Sequence, residues 1–378
     1  MKRIDFLLII LITLFYFTLL YLNNNPIYNY KFDPGLADLY LRSQDISHEV
    51  PSRIFLSDSQ IHLAAGLLYA KGEEPTRYNF QHPPLIKYLY GISALLLGNP
   101  YFIQVGFGLV FLCLIYVLGI KIFQSRIVSI LTAIFVACDP LFINLSNQLL
   151  LDLGQGVFLL LYFLAIEFYQ NNILLQGITL GLMASSKFWG ATLFFVGVFM
   201  FFKLIRKELH FRKFFLHLIL AIFVFSLTYT KTFLDRGGNF NLVFFELKTL
   251  KYWLDHSQST IPGSSIILFI TGFFPSWWEG RQILKSDVWS LFWPTSFMIS
   301  LFKIIGFVKR KKWQARGLTA TIPVLYLFYL GPQATFARYY ILILPFLYLT
   351  LSEFIYLICL KVKLMERNKL RFKHSNHV

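Results

Sequence analysis

Residues Phe6–Leu22 read FLLIILITLFYFTLLYL, and residues Phe214–Thr230 read FFLHLILAIFVFSLTYT. Neither run holds a Lys, Arg, Asp or Glu, and both are too long for ordinary core helices, so they read as membrane spans. Comparable runs, divided by polar turns, lie near 5–22, 101–122, 127–146, 153–169, 172–186, 189–204, 214–232, 288–308, 317–332 and 340–360. The fold class expected is an all-α polytopic membrane protein, one domain over 1–378, with about ten transmembrane helices. Composition agrees. Only 14% of residues are charged and 56% are hydrophobic, where a soluble domain would carry about 25% charged residues. The 42 Phe, 21 Tyr and 7 Trp suit lipid-facing helices and interfacial belts. An ordinary cytosolic enzyme is excluded. Cys113, Cys138 and Cys359 lie in apolar runs and form neither a disulfide framework nor a metal-ligand spacing.

The formal charge of +16 invites a nucleic-acid reading, but the positions of the charges argue against it. With Lys2 and Arg3 placed inside, the short basic connectors fall on that same side: Lys121 and Arg126; Lys203, Arg206, Lys207, Arg212 and Lys213; Lys309, Arg310, Lys311, Lys312 and Arg316. The tail 361–378 adds Lys361, Lys363, Arg367, Lys369, Arg371 and Lys373. With Lys303, 21 of the 35 basic residues are inside; the other 14 face 14 Asp and Glu outside. This is the positive-inside pattern, so membrane lipids are expected partners and nucleic acid is not. No small-x-small cleavage site follows the first run, so it reads as a retained helix with both termini cytoplasmic. A bacterial or archaeal plasma membrane is expected from the size.

Two external segments stand out. Residues 23–100 form a first loop with amphipathic stretches Gln60–Ala70 and Pro84–Leu97, the second too short to span and placed along the interface. Residues 233–287 form a second loop whose apolar piece Ile266–Phe274 runs into Pro275-Ser276-Trp277-Trp278. A re-entrant or interfacial segment is expected there, because a full crossing would invert every later basic connector.

Ionisable residues at span ends are costly, and by default they mark a site. The external side gathers Asp58, His82, Asp152, Lys187 and Arg338 from five parts of the chain. Each also has a structural reading. Ser57 or Asp58 could cap the helix that follows. His82-Pro83-Pro84 rigidly starts the next one. Asp152 suits a helix N-terminus, Lys187 could snorkel to water, and Arg338 could sit in an aromatic belt.

The sequence around these residues resembles the dolichyl-phosphate-mannose protein O-mannosyltransferases and their prokaryotic relatives, within the GT-C class of membrane glycosyltransferases. Asp58 falls where that family has an Asp-Glu pair, here Asp58-Ser59. His82-Pro83-Pro84-Leu85-Ile86-Lys87 is similar to its His-Pro-Pro-Leu-Gly-Lys, and Ser185-Ser186-Lys187-Phe188-Trp189-Gly190 to its Ser-Ser-Lys-Trp-x-Gly. Leu151-Asp152 and Arg338-Tyr339-Tyr340 follow in the family's order.

The resemblance implies a GT-C fold and sugar transfer from a polyprenyl-phosphate donor to an acceptor hydroxyl on the outer face. Mannose and a protein Ser or Thr are the expected sugar and acceptor. An inverting displacement needs a carboxylate base and cations for the leaving phosphate, roles that suit Asp58 and the pair Lys187 and Arg338. His82 and Lys87 are further candidates to bind the phosphate, and Asp152 an orienting partner. No cofactor is expected; two carboxylates and a histidine leave room for a divalent metal, although no ligand spacing calls for one. Two other readings stay open: transfer to a lipid glycan, and a transporter or flippase. Charges at span ends rather than at the midplane favour a transferase.

Overall fold

The computed structural model describes residues 3–46, 54–256, 261–276, 282–310, 314–333 and 336–375. Trp277, Trp278, Lys311 and Lys312 lie outside the described residues. In chain order the helices are α1 (Arg3–Leu22), α2 (Leu36–Leu41), α3 (Asp58–Ala70), α4 (Leu85–Leu97), α5 (Tyr101–Phe123) and α6 (Arg126–Ala137). Then come α7 (Pro140–Ser146), α8 (Asp152–Phe168), α9 (Ile173–Ser186), α10 (Gly190–Ile205), α11 (Phe211–Leu227) and α12 (Thr230–Arg236). The chain finishes with α13 (Leu242–His256), α14 (Ser264–Thr271), α15 (Phe292–Arg310), α16 (Ala315–Leu330) and α17 (Leu344–Ser375). A two-stranded antiparallel hairpin, Phe273–Pro275 with Ile283–Lys285, follows α14.

Each of the ten expected segments contains helix, but among the described residues not all are single helices long enough to cross. Four are long and apolar enough to cross: α1, α5, α15 and α17. Two further expected spans are bent pairs, α6 with α7 and α11 with α12, each broken by 64°. The first break has a clear cause. Asp139 leaves the helical region before Pro140, and its carboxylate accepts the Leu141 N–H to start a new helix. The four remaining helices, α8, α9, α10 and α16, have only 14 to 17 residues. The segment expected to be re-entrant or interfacial is α14, eight residues, too short to cross. The basic tail is continuous with the last span, α17 running on to Ser375.

The first loop is a packed layer rather than a tether. Leu63, Ala64, Leu67, Ile86, Tyr90 and Ala94 of α3 and α4 form a core with Leu36 and Tyr40 of α2 and with Leu149 and Leu151. Two hydrogen bonds fasten that layer to the chain just before α8. Tyr90 donates to the Leu150 carbonyl at 2.7 Å, and the His62 ring meets the Leu149 carbonyl at 3.1 Å. The α3–α4 contact depends on Gly66 and Gly91, whose backbones touch: a Cβ on Gly66 would overlap the Lys87 carbonyl, and one on Gly91 the Gly66 carbonyl. Gly66→Ala and Gly91→Ala should therefore each cost about 1–3 kcal/mol and lower the melting temperature in detergent. Gly106→Ala, where a Cβ meets open space, should not. Equal melting temperatures for all three would refute this account of the contact.

Candidate active site

Helix α3 begins with a capping box. The Ser57 hydroxyl accepts from the Gln60 N–H at 3.4 Å, and the Gln60 side chain takes the Ser57 N–H at 3.0 Å. Asp58 is therefore released from capping, and its half-exposed carboxylate accepts a 2.5 Å bond from Nη1 of Arg338. Arg338 lies in the 3₁₀ turn Ala337–Leu342, between α16 and α17, with its Nε 4.0 Å from Asp152. Asp152, the first residue of α8, is 4% exposed and takes a hydrogen bond from Nζ of Lys187, just past the end of α9. The same ammonium stands 4.4 Å from the centre of the Tyr339 ring. Asp58, Arg338, Asp152 and Lys187 thus form a chain of alternating charge built from four distant segments.

Beside this chain opens a cavity of about 640 Å³. His82, Asp152, Gln155, Lys187 and Gln333 supply its polar walls; Trp253, Tyr326, Tyr329 and Tyr339 supply much of the rest. Asp58 and Arg338 are not among its lining residues; Arg338 connects to the cavity by its 4.0 Å approach to Asp152, and Asp58 by its bond to Arg338. Helix α13 of the second loop covers one side. Trp253 packs 5.1 Å from the His82 ring and donates to the Gln81 carbonyl at 2.8 Å, while Trp189 donates to Glu246 of α13 at 2.7 Å.

The remaining sequence candidates behave differently. Burial holds the His82 imidazole well below its ordinary titration range, with His62, Lys187, Lys87 and Arg338 adding to the effect. It meets the cavity as a neutral ring, a hydrogen-bonding group rather than a cation for phosphate. Lys87 is fully buried and absent from the cavity lining. Its ammonium donates to the Asn79 carbonyl at 2.7 Å, the Asn79 side chain at 3.2 Å and the His82 carbonyl at 2.7 Å. Lys87 therefore staples the turn that presents His82. Sequence reasoning did not single out Gln155, Trp253, Tyr326 or Tyr329. Only Gln155 carried a signal, three residues after Asp152 and so on the same helix face. Among the described residues no three His, Cys, Asp or Glu side chains are grouped as a metal site requires.

Helix α8 also locates the site relative to the basic connectors. Asp152 opens it, and Glu167 in its last turn takes both guanidinium nitrogens of Arg206, at 2.6 and 2.8 Å. Lys213 reaches Asn171 beyond that same end, and Arg126 pairs with Asp5 near the start of α1. Arg206 and Lys213 therefore lie at the end of α8 away from the cavity.

Electrostatics sets the protonation states. Burial pushes the Asp58 carboxyl up, but Arg338, with His62 and Lys187, outweighs it and holds the group below the usual carboxylate range. Burial brings the Lys187 ammonium down to about 8 against the pull of Asp152. Lys187 is thus charged at neutral pH and loses its proton as pH rises through about 8. A bound phosphate would restore charge. Donor binding to the free protein should therefore weaken above about pH 8, while turnover of the donor-saturated protein holds to higher pH. A flat binding profile from pH 7 to 9 would contradict this.

Residues 81–230 match the family described as dolichyl-phosphate-mannose-protein mannosyltransferase. No curated protein matches the chain. Among solved structures, ArnT from Cupriavidus metallidurans in the apo state is similar at 13% identity and TM-score 0.57, over 83% of this chain and 57% of that one. ArnT bound to undecaprenyl phosphate is similar at 14% identity and TM-score 0.57, over 84% and 58%. The Archaeoglobus fulgidus oligosaccharyltransferase in its apo form is similar at 15% identity and TM-score 0.51, over 98% and 52%. The chain spans less than two thirds of the length of each. It has the fold of the GT-C membrane glycosyltransferases.

Proposed function

We propose that the chain is an inverting glycosyltransferase that moves a sugar from a polyprenyl-phosphate donor to an acceptor hydroxyl. The observation that carries this is the Asp58–Arg338–Asp152–Lys187 chain beside the cavity. The acceptor oxygen bonds to C1 of the sugar as the C1–O bond to phosphate breaks, and the acceptor proton passes to Asp58. The leaving phosphate keeps the electron pair, and Lys187 and Arg338 balance its charge. At rest Arg338 holds Asp58 below its usual basicity. A donor phosphate on Arg338 competes for that guanidinium, so the carboxylate becomes a stronger base only when a donor is present. Asp152 orients both cations, and His82 offers a neutral hydrogen bond at the wall.

The undecaprenyl phosphate in the ArnT structure supports a lipid-phosphate donor here, and the family match supports mannose as the sugar and a protein Ser or Thr as the acceptor. By the positive-inside pattern the cavity faces outward from a prokaryotic plasma membrane, with both termini cytoplasmic. The first loop, 23–100, is then the catalytic one. A lipid glycan is the second acceptor reading. Purified protein given radiolabelled polyprenyl-phosphate mannose, with a Ser/Thr peptide or a glycolipid, tests both. Label on the peptide supports the first reading and label on the glycolipid the second. Transfer to neither, with donor also lost across a vesicle membrane, would favour a flippase.

A further inference from the structure

We propose that Gln155 is a specificity-determining residue that hydrogen-bonds a hydroxyl of the transferred sugar; this rests on the donor class proposed above. Gln155 is 2% exposed and lines the cavity, yet among the described residues its Nε2 has no hydrogen-bond partner. A buried amide left unpaired costs about 1–3 kcal/mol, so a ligand or water is needed to complete it. Its position indicates which part of a ligand. Gln155 lies one helical turn beyond Asp152 on the same face of α8, about 4.5 Å further along the axis. Asp152 holds Lys187, the cation for the phosphate. A sugar is the next group along a glycosyl phosphate, so a phosphate on Lys187 sets ring hydroxyls at the depth of the carboxamide. Gly190 and Ala191 line the same cavity with little side-chain bulk, and Tyr326 and Tyr329 supply rings for the sugar's apolar face.

The test compares binding of bare undecaprenyl phosphate with binding of undecaprenyl-phosphate mannose, glucose and galactose, in wild type, Gln155→Met and Gln155→Asn. Met keeps the volume and removes the amide; Asn keeps the amide but draws it back by one methylene. For the sugar that wild type binds most tightly over bare lipid, both variants should lose roughly tenfold in affinity. Bare-lipid affinity should stay unchanged. If Gln155→Met does not fold, Gln155→Asn carries the comparison. An undiminished advantage for the sugar-bearing lipid would overturn the assignment and leave a water as the amide's partner. Equal losses for bare and sugar-bearing lipid would mean a structural role and would also overturn it. If wild type binds bare lipid but gains nothing from any sugar, the subsite is refuted while the lipid-phosphate reading stands. If wild type binds none of the four lipids, the proposed function fails and takes this inference with it.

Discussion

Asp58→Asn should yield a folded protein that binds donor lipid at least as tightly as wild type, because Arg338 is freed from its pair, and that turns over about 100-fold more slowly, or worse. The expectation is sharp because the helix does not need Asp58. Ser57 and Gln60 cap α3 between them, so asparagine leaves that capping box intact. What it removes is the proton acceptor and a half-exposed ion pair to Arg338, and such pairs contribute about 0–1 kcal/mol. Melting temperature should stay close to wild type and donor affinity should not fall, while turnover collapses. Full turnover in the asparagine variant would end the general-base assignment. Loss of folded protein would return Asp58 to a structural role.

The second large effect concerns the two cations. Lys187→Ala and Arg338→Ala should each reduce turnover by about 10²–10³-fold, since charge builds on the leaving phosphate in the transition state. Their combined effect should fall short of the product, with a coupling of about 0.5–3 kcal/mol, because both act on one phosphate and both lean on Asp152. Removing both also leaves Asp152 buried without its cations, so each variant's melting temperature must accompany its rate. Arg338→Lys should remain impaired. The guanidinium reaches Asp58 with Nη1 while pointing Nε towards Asp152, and a single ammonium cannot serve both. Independent losses, or full activity in Arg338→Lys, would dissolve the clamp.

Much of this was legible in the sequence for reasons that are easy to state. The placement of the basic connectors opposite the site followed from counting charges, which needs no geometry. That Asp58, His82, Asp152, Lys187 and Arg338 share one side was expected from the same count; which of them touch was not. Other features were not legible. Ser57 and Asp58 were equal candidates for the cap until the reciprocal bonds of Gln60 decided between them. Lys87 looked like a phosphate cation, because the carbonyls of Asn79 and His82 that hold it become neighbours only once the loop closes. Asp139-Pro140 did carry a helix-start signal, but continuous hydropathy hid the break. Trp253 lies 171 positions from His82, and nothing local announces that α13 folds back over the cavity.

Besides α13, four helices reach the cavity: α8 and α10 start there, and α9 and α16 end there, each 14 to 17 residues long. At 1.5 Å per residue they measure about 21–26 Å, less than the roughly 30 Å of hydrocarbon in an ordinary bilayer. On the proposed function, with their far ends level with the inner headgroups, the candidate site at their near ends would lie below the outer headgroup plane. The proposed donor, embedded by its isoprenoid chain, would then be met at its own depth without being lifted into water. On that reading the thickness of the host membrane would bear on the rate as directly as any side chain does.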